Sequence, residues 1–337
     1  MSLSPRLLTV ILNYRTAEMT LRATEAALRE MDGIAGEIVV VDNDSGDGSF
    51  DKMRSHAEQA GWTKGGRVRV LQSGHNGGYG AGNNVGIRAG LSSGEEPDYV
   101  YLLNSDAFPQ EGAIRALLET LQSSPSYGLA GSYIHGEHGD AHVTSFRFPS
   151  IAGEFEGALR LGIVSRLLAN KRVPMEVPSQ SQRVDWLAGA SVMIRQSVLE
   201  RIGLFDETFF LYFEETDLCL RAHRAGIETI YVRESEVMHI GSVSTGMKNW
   251  QRVPDYWFAS RRHYYEKNHG HLYAAFATGA HIIGGGLHRL RCVLQRRQHD
   301  MPPHFLRSLL AHEIGRGLVD TQARPRIDTK TRQEAGK

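Results

Sequence analysis

The chain has 337 residues, 41% of them hydrophobic and 23% charged, an ordinary balance for a soluble globular protein with one large core or two smaller ones. Lys and Arg offset Asp and Glu to a net charge of zero, so charge gives no reason to expect a nucleic-acid partner. Cys219 and Cys292 cannot build a disulfide framework for a chain this size, which points to a reducing, cytoplasmic compartment. No signal peptide precedes the first apolar run at Leu7, and no apolar run reaches the roughly 18 residues a spanning helix needs.

The first 130 residues alternate strand and helix patterns. Leu7 to Tyr14 reads as a buried strand, and Ala17 to Glu30 as a helix with Met19, Ala23, Ala26 and Ala27 on one face. Strand Glu37 to Asp42, helix Ser49 to Gly61, strand Val68 to Gln72 and helix Ala81 to Gly90 follow. Then come strand Tyr99 to Asn104, helix Gly112 to Ser123 and strand Tyr127 to Ser132. This alternation predicts a parallel sheet covered on both faces, with right-handed crossovers. Residues 133–182 break the rhythm with His135, His138, His142, several Gly and Pro, and one helical patch near Ala158 to Ala169. They read as an insertion or lid lacking apolar mass. Regular structure resumes at Val184 to Ile194, then helix Glu214 to Ala225 stopped by Gly226, strand Thr229 to Val232 and helix Pro254 to Asn268.

Beyond Gly270 the chain turns basic, with eleven Lys/Arg against five Asp/Glu from His271 to Lys337. Residues 271–297 mix Leu272, Phe276, Ile283, Leu287 and Leu290 with Arg289, Arg291, Arg296 and Arg297. Such a segment suits an anionic bilayer surface, or else packing on the catalytic domain or on a second subunit. Gly284-Gly-Gly286 would weaken a continuous helix in either case. The last fifteen residues are expected to be disordered.

Chemistry concentrates at the strand exits. Tyr99-Val-Tyr-Leu-Leu-Asn-Ser-Asp106 is an apolar strand ending in Asn104-Ser105-Asp106, where open α/β sheets place ligand chemistry. A carboxylate there can hold a divalent cation, and the cation a diphosphate. Asn13-Tyr14-Arg15 and Asp42-Asn43-Asp44-Ser45 close the first two strands beside it. Asp42 suits a ribose or base edge, although Asp42-Asn43-Asp44 also reads as an Asx turn. Gly74-His-Asn-Gly-Gly-Tyr-Gly-Ala-Gly-Asn-Asn-Val-Gly86 lets a backbone approach a ligand and then open a helix. It is neither a dinucleotide fingerprint, since Val85 takes the third glycine position, nor a P-loop, since Asn83-Asn84 follows Gly82. Aromatic residues lead into Glu214, Glu215 and Asp217 at a helix start. There the acids serve either the helix dipole or as general base for a hydroxyl nucleophile. His239 after a strand is either structural or a metal ligand with Asp106.

These segments, in this order, resemble the family 2 glycosyltransferases, and within them the bacterial rhamnosyltransferase-like branch. The resemblance rests on Val10-Ile-Leu-Asn-Tyr14, Val39-Val-Val-Asp-Asn43, Asn76 to Gly86, Leu102-Leu-Asn-Ser-Asp106, Phe205-Asp-Glu207, Tyr212-Phe-Glu-Glu-Thr-Asp-Leu218 and His239. It implies a GT-A-type α/β fold, with a mainly parallel central sheet flanked by helices and a C-terminal helical extension. Residues 1–270 would form the catalytic domain, with 133–182 as its insertion, and 271–337 the extension. The implied activity is inverting transfer of a sugar, rhamnose favoured, from a nucleotide-diphosphate donor such as dTDP-rhamnose or a UDP-sugar. The acceptor would be a glycan or lipid-linked hydroxyl.

In that reading Asn13, Tyr14, Arg15, Asp42 and Asn43 border the nucleotide, and Asn76, Gly77 and Asn104 line the donor pocket. Trp186 lies under a sugar or in the core. Asp106 and His239 hold Mg²⁺ or Mn²⁺, and Glu215 is the base, with Glu214 and Asp217 as alternatives. Asn104 replaces the first acid of the family's DxD motif, and Glu215 stands where an aspartate is usual. Those departures leave open a sugar-nucleotide binding protein without turnover. A sugar nucleotidyltransferase ranks below it, because Asn13-Tyr14-Arg15-Thr16-Ala17 is not the Gly-, Arg- and Lys-rich loop such enzymes carry after strand one. A homodimer, and a peripheral place on the inner face of the cytoplasmic membrane through 271–297, are further expectations.

Overall fold

The computed structural model describes residues 5–241, 252–299 and 301–315; the expected disordered tail lies outside the described residues. Strand β1 (Leu7–Asn13), helix α1 (Ala17–Glu30), β2 (Gly36–Asp42), α2 (Ser49–Gln59), β3 (Val68–Gln72), α3 (Tyr79–Ala89) and β4 (Tyr99–Asn104) alternate as the pattern predicts. A three-residue strand β5 (Ala107–Pro109), α4 (Ala113–Ser123) and β6 (Tyr127–His135) follow. The 133–182 segment carries β7 (Ser145–Phe146), α5 (Ile151–Leu159) and α6 (Gly162–Leu167). Next come β8 (Gln182–Val184), β9 (Trp186–Leu187), β10 (Ser191–Arg195), α7 (Gln196–Ile202), α8 (Glu214–Arg224) and β11 (Glu228–His239). Helices α9 (Asp255–His269), α10 (His271–Leu294) and α11 (Phe305–Gly315) close the described chain.

The main sheet runs β3-β2-β1-β4-β10-β6-β11-β5, with β8 also paired to β11. It is mixed rather than wholly parallel. β10 is antiparallel to both β4 and β6, and β5 and β8 are antiparallel to β11. Alternation along the strands builds the core. Leu7 and Ile11 join Leu21, Met31, Ile114 and Leu117 on the α1 and α4 face. Leu8 and Val10 join Val39, Ile87, Val198 and Leu218 on the α3, α7 and α8 face. Burying each such side chain contributes about 1.5–3 kcal/mol.

Three expectations need correction. The helical patch over Ala158 to Ala169 is two helices, because Arg160 takes a left-handed φ of 50° and ends α5. The short strand Thr229 to Val232 extends to His239, re-registering against β6 between Val232 and Glu236. The third concerns Gly284-Gly-Gly286: α10 runs unbroken through 24 residues, so the weakening expected of these glycines is made up by packing. A Cβ on Gly284 would come 2.7 Å from the Phe155 carbonyl oxygen, and one on Gly285 2.8 Å from the Leu306 side chain. The helix propensity lost at these glycines is offset by close approach to α5 and α11.

A buried ion cluster fastens α5 to α9 and α10. The Arg261 side chain is only 1% exposed and donates from Nε to Glu154 Oε1 at 3.1 Å and from Nη1 to Thr278 Oγ1 at 2.9 Å. Tyr265 Oη donates to Glu154 at 2.8 Å, and His281 Nδ1 lies 2.6 Å from its second oxygen. Burial opposes ionisation of Glu154, but Arg261 and His281 together outweigh it and bring its pKa from 4.5 to about 2. A carboxylate lowered in this way stabilises the fold above pH 4.5 and loses that contribution as pH falls toward 2. Glu154→Gln strands the Arg261 charge. It should cost about 3–5 kcal/mol in urea denaturation at pH 7. The gap to wild type should narrow steadily as the pH falls below 4.5.

Candidate active site

The register of β1 brings three strand exits level. Asn13 pairs with Asp42 of β2, and Leu12 with Asn104 of β4. Asn13 and Asp42 are buried and turned to each other, with Asn13 Nδ2 donating to Asp42 Oδ1 at 2.6 Å. Ser45 adds its hydroxyl to Asp42 Oδ1 at 2.6 Å and its amide to Oδ2 at 3.2 Å. Thr20 donates to Asn13 Oδ1 at 2.7 Å. Asn13 and Asp42 thus form a polar knot behind the surface, and Tyr14 and Asn43 beside them line the cavity. Asn43 Nδ2 donates to Asn76 Oδ1 at 3.0 Å and to the Gly78 carbonyl at 3.1 Å, while its buried Oδ1 has no hydrogen-bond partner. Arg15 is exposed in a left-handed conformation, with Nε on the Ser45 carbonyl at 3.0 Å.

The pairing of β5 with β11 sets His239 opposite Ala107, next to Asp106. His239 Nε2 lies 2.9 Å from Asp106 Oδ1 and 3.5 Å from Asn104 Nδ2. The His142 ring, from the 133–182 segment, stands edge-on at 6.3 Å from His239. Among the described residues no group of three His, Cys, Asp or Glu is placed to hold a metal ion.

Across the cavity, Tyr212 and Phe213 take left-handed φ values of 69° and 70° and turn the chain into α8. Non-glycine residues occupy this region at a cost, so the surrounding contacts must hold them there. The Tyr79 amide donates to the Phe210 carbonyl at 3.0 Å, and Asn84 clamps Phe205 through both of its amide atoms. Glu214 and Glu215 both line the cavity. Glu215 Oε1 accepts from the Gly189 amide at 3.2 Å. Glu214 is buried with Oε2 unpartnered. Burial raises the pKa of Glu215, and burial with the neighbouring Glu215 charge puts Glu214 well above the usual carboxylate range. Asp217 points away from the cavity. It is fully buried and held by Arg221 at 2.8 Å, Lys267 at 2.9 Å and Asn268 at 2.9 Å. That arrangement engages both Asp217 oxygens and gives it no path to a substrate.

A cavity of about 1290 Å³ joins these elements. Asn76, Asn104, Asp106, Trp186, Glu214, Glu215 and His239 line it; Asn13, Arg15, Asp42, Gly77 and Asp217 do not. Trp186 stacks on Phe146 with centroids 4.1 Å apart and donates to the Arg147 carbonyl at 3.0 Å. Several residues that the sequence reading gave no role also line the cavity. Tyr79 donates to the Gly189 carbonyl at 2.6 Å, and burial with the Glu215 charge keeps its phenol protonated. His142, Arg160, Arg172, Tyr256 and Trp257 also line the cavity. Tyr79 could have been found, as the one phenol in the glycine-rich motif.

The architecture is that of GT-A glycosyltransferases. It superposes on a mannosyltransferase from Pyrobaculum calidifontis, solved with GDP-Man and Mn²⁺, with a TM-score of 0.56 over 95% of this chain and 82% of that one, at 15% identity. GalNAc-T7 with UDP, GalNAc and Mn²⁺ gives 0.55 over 93% and 55%, at 12% identity. Residues 5–263 match the family described as glycosyltransferase like family 2, and the chain belongs to that family. An N-acetylglucosaminyl-diphospho-decaprenol L-rhamnosyltransferase of Mycobacterium tuberculosis is 32% identical over 62% of this chain and 68% of its own. The hexosyltransferase Agl10 of Haloferax volcanii is 29% identical over 68% and 66%, and rhamnosyltransferase WbbL of Escherichia coli 29% over 48% and 60%.

Two glycines test the geometry differently. Gly78 has φ 91°, and a Cβ there would run into the Phe210 carbonyl. Gly78→Ala should therefore lose at least about 1–3 kcal/mol in urea denaturation. A Cβ on Gly189 would lie 2.8 Å from Glu215 Oε1 and 2.6 Å from Tyr79 Oη, both movable side-chain ends. Gly189→Ala should keep its stability within about 1 kcal/mol while sugar transfer drops roughly tenfold or more.

Proposed function

We propose that this glycosyltransferase moves a sugar, rhamnose before others, from a nucleotide-diphosphate donor to a hydroxyl of a glycan or lipid-linked acceptor. The transfer would invert the anomeric carbon and serve cell-surface polysaccharide synthesis. The observation that carries this reading is a single cavity with the Glu215 carboxylate on one wall and the Asp106–His239 pair on another. The rhamnosyltransferase names of two relatives favour the sugar.

On this reading Tyr14, Asn43 and Asn76 border the nucleotide, and the unpartnered Asn43 Oδ1 suits a donor group on the base. Asn13, Asp42 and Arg15 act from behind by fixing the loops that present them. Asp106 and His239 fit a divalent cation of the Mg²⁺ or Mn²⁺ type. Two protein ligands leave places for diphosphate oxygens and water, the usual arrangement for such ions. When bound, the cation would offset charge on the leaving diphosphate. Glu215 takes the proton of the acceptor hydroxyl as its oxygen attacks the anomeric carbon and the bond to the nucleotide diphosphate breaks. The Gly189 amide and Tyr79 hold that carboxylate and the turn beneath it. Burial and the neighbouring Glu215 charge hold Glu214 well above the usual carboxylate range, and Asp217 serves the fold. Residues 133–182 close the acceptor side, and 271–337 extend the 1–270 catalytic unit.

Calorimetry across dTDP-rhamnose, UDP-glucose, UDP-galactose and GDP-mannose, with and without Mn²⁺, tests the donor site. One donor should bind in a metal-dependent way, and Asp106→Ala should abolish it. Glu215→Gln should bind that donor normally and lose transfer by about a thousandfold. Because the raised Glu215 pKa governs the active carboxylate, kcat/KM should fall with acidification at a pH above the 4.5 of an ordinary glutamate. Donor binding without transfer or hydrolysis on any acceptor would make the chain a binding protein instead.

A further inference from the structure

Helix α10 carries its apolar residues on the wrong side for a soluble monomer. Its inner face, with Ala274, Ala277, Gly284, Gly285 and Cys292, is buried against the fold. Its outer face bears Leu272, Phe276, Ile283, Leu287, Leu290 and Val293, with exposures from 46% to 78%. These recur at helical spacing and form a stripe along 24 residues, about 36 Å of helix. Near its C-terminal half, Arg291 donates to the Arg160 carbonyl at 2.8 Å, which brings α6 alongside. There Ile163 and Leu167 add two more large apolar side chains, 67% and 77% exposed. A patch of this extent marks an interaction surface.

Charge selects the partner. No Asp or Glu occurs from His271 to His299, nor from Gly157 to Met175. Arg166, Lys171, Arg289, Arg291, Arg296 and Arg297 lie within those two stretches. A two-fold contact with a second copy would set this basic rim against itself. Residues 316–337 offer only Leu318, Val319 and Ile327 as large aliphatic side chains, too few to cover the stripe, and carry six Lys/Arg against three Asp/Glu. An apolar stripe with a basic rim and no acid matches the interface of a bilayer containing anionic lipid. The same segment also belongs to the cavity, since Gly157, Arg160, Gly162 and Ser165 line it.

We propose that the α6–α10 face docks flat on an anionic lipid bilayer, with the α5–α6 end of the cavity turned toward the headgroups. An acceptor on a lipid carrier would then enter from the membrane side without leaving the bilayer. This rests on the lipid-linked acceptor reading above only for its purpose, and its test involves no sugar transfer.

The full chain should co-sediment with vesicles of phosphatidylcholine mixed with phosphatidylglycerol, and far less with phosphatidylcholine alone. Salt should weaken the binding. Ile283→Glu combined with Leu290→Glu should lower the bound fraction about tenfold while circular dichroism and donor binding stay unchanged. Arg296→Gln with Arg297→Gln should reduce the preference for the anionic vesicles. Absence of vesicle binding by the folded wild type would overturn the proposal, as would binding that the Ile283 and Leu290 substitutions leave intact. A wild-type dimer in sedimentation velocity that those substitutions split, without vesicle binding, would assign the face to a second copy. Intact vesicle binding in a chain that binds no donor would leave the surface standing and sink only the donor site.

Discussion

The molecule depends on the pairing of β1 with both β2 and β4. Side-chain direction alternates residue by residue in a strand, so a one-residue slip in either pairing would break the level alignment of Asn13 with Asp42 and of Leu12 with Asn104. With the observed register, Leu8 and Val10 fill one face, Leu7 and Ile11 fill the other, and the polar exits finish together. The second half of the site is attached by a different device. The reversed strand β10 ties β4 to β6, and β6 carries β11, which returns with His239 to the loop after β4. Asp106 and His239 are 133 residues apart in sequence and 2.9 Å apart in space because of that route.

On the opposite wall, two influences act against each other on one pair of carboxylates. The start of α8 favours negative charge through its exposed amides, whereas burial disfavours it. Burial prevails at Glu214 and Glu215, and both are raised. The strained Tyr212–Phe213 turn is what presses them into the cavity instead of leaving them in water. Asp217, one turn further along, is held in ion pairs with Arg221 and Lys267. Three neighbouring acids therefore have different chemistry, set by where α8 meets α3 and α9.

Most of the first 130 residues could be read directly, because strand and helix periods alternate there and buried strands leave long apolar runs. The limits lay where contacts are remote in sequence. The mixed direction of the sheet depends on β10 entering between β4 and β6, and nothing local in Ser191–Arg195 encodes that. Asp217 read as an alternative base to Glu215 because two of its three partners, the Lys267 ammonium and the Asn268 amide, arrive from α9 some fifty residues on. Asp42 read as a ligand contact or a turn, and what local pattern did not reveal is that it is the acceptor of a knot centred on Asn13 and Ser45. Tyr79 was in plain view inside the glycine-rich motif, but only the folded 186–190 turn gives its hydroxyl a carbonyl to meet.

The bare surface at Gly284 and Gly285 has a consequence for geometry. A helix seated through branched side chains can roll about its axis, since alternative rotamers refill the gap. One seated with its own backbone against the Phe155 carbonyl and the Leu306 side chain has a single angular setting. The azimuth of every residue on α10 is thereby indexed from the inside, as a key indexes a shaft. Methyl groups added at these two positions would have to lift or roll the helix away from α5 and α11, so residues that never meet solvent govern which residues do.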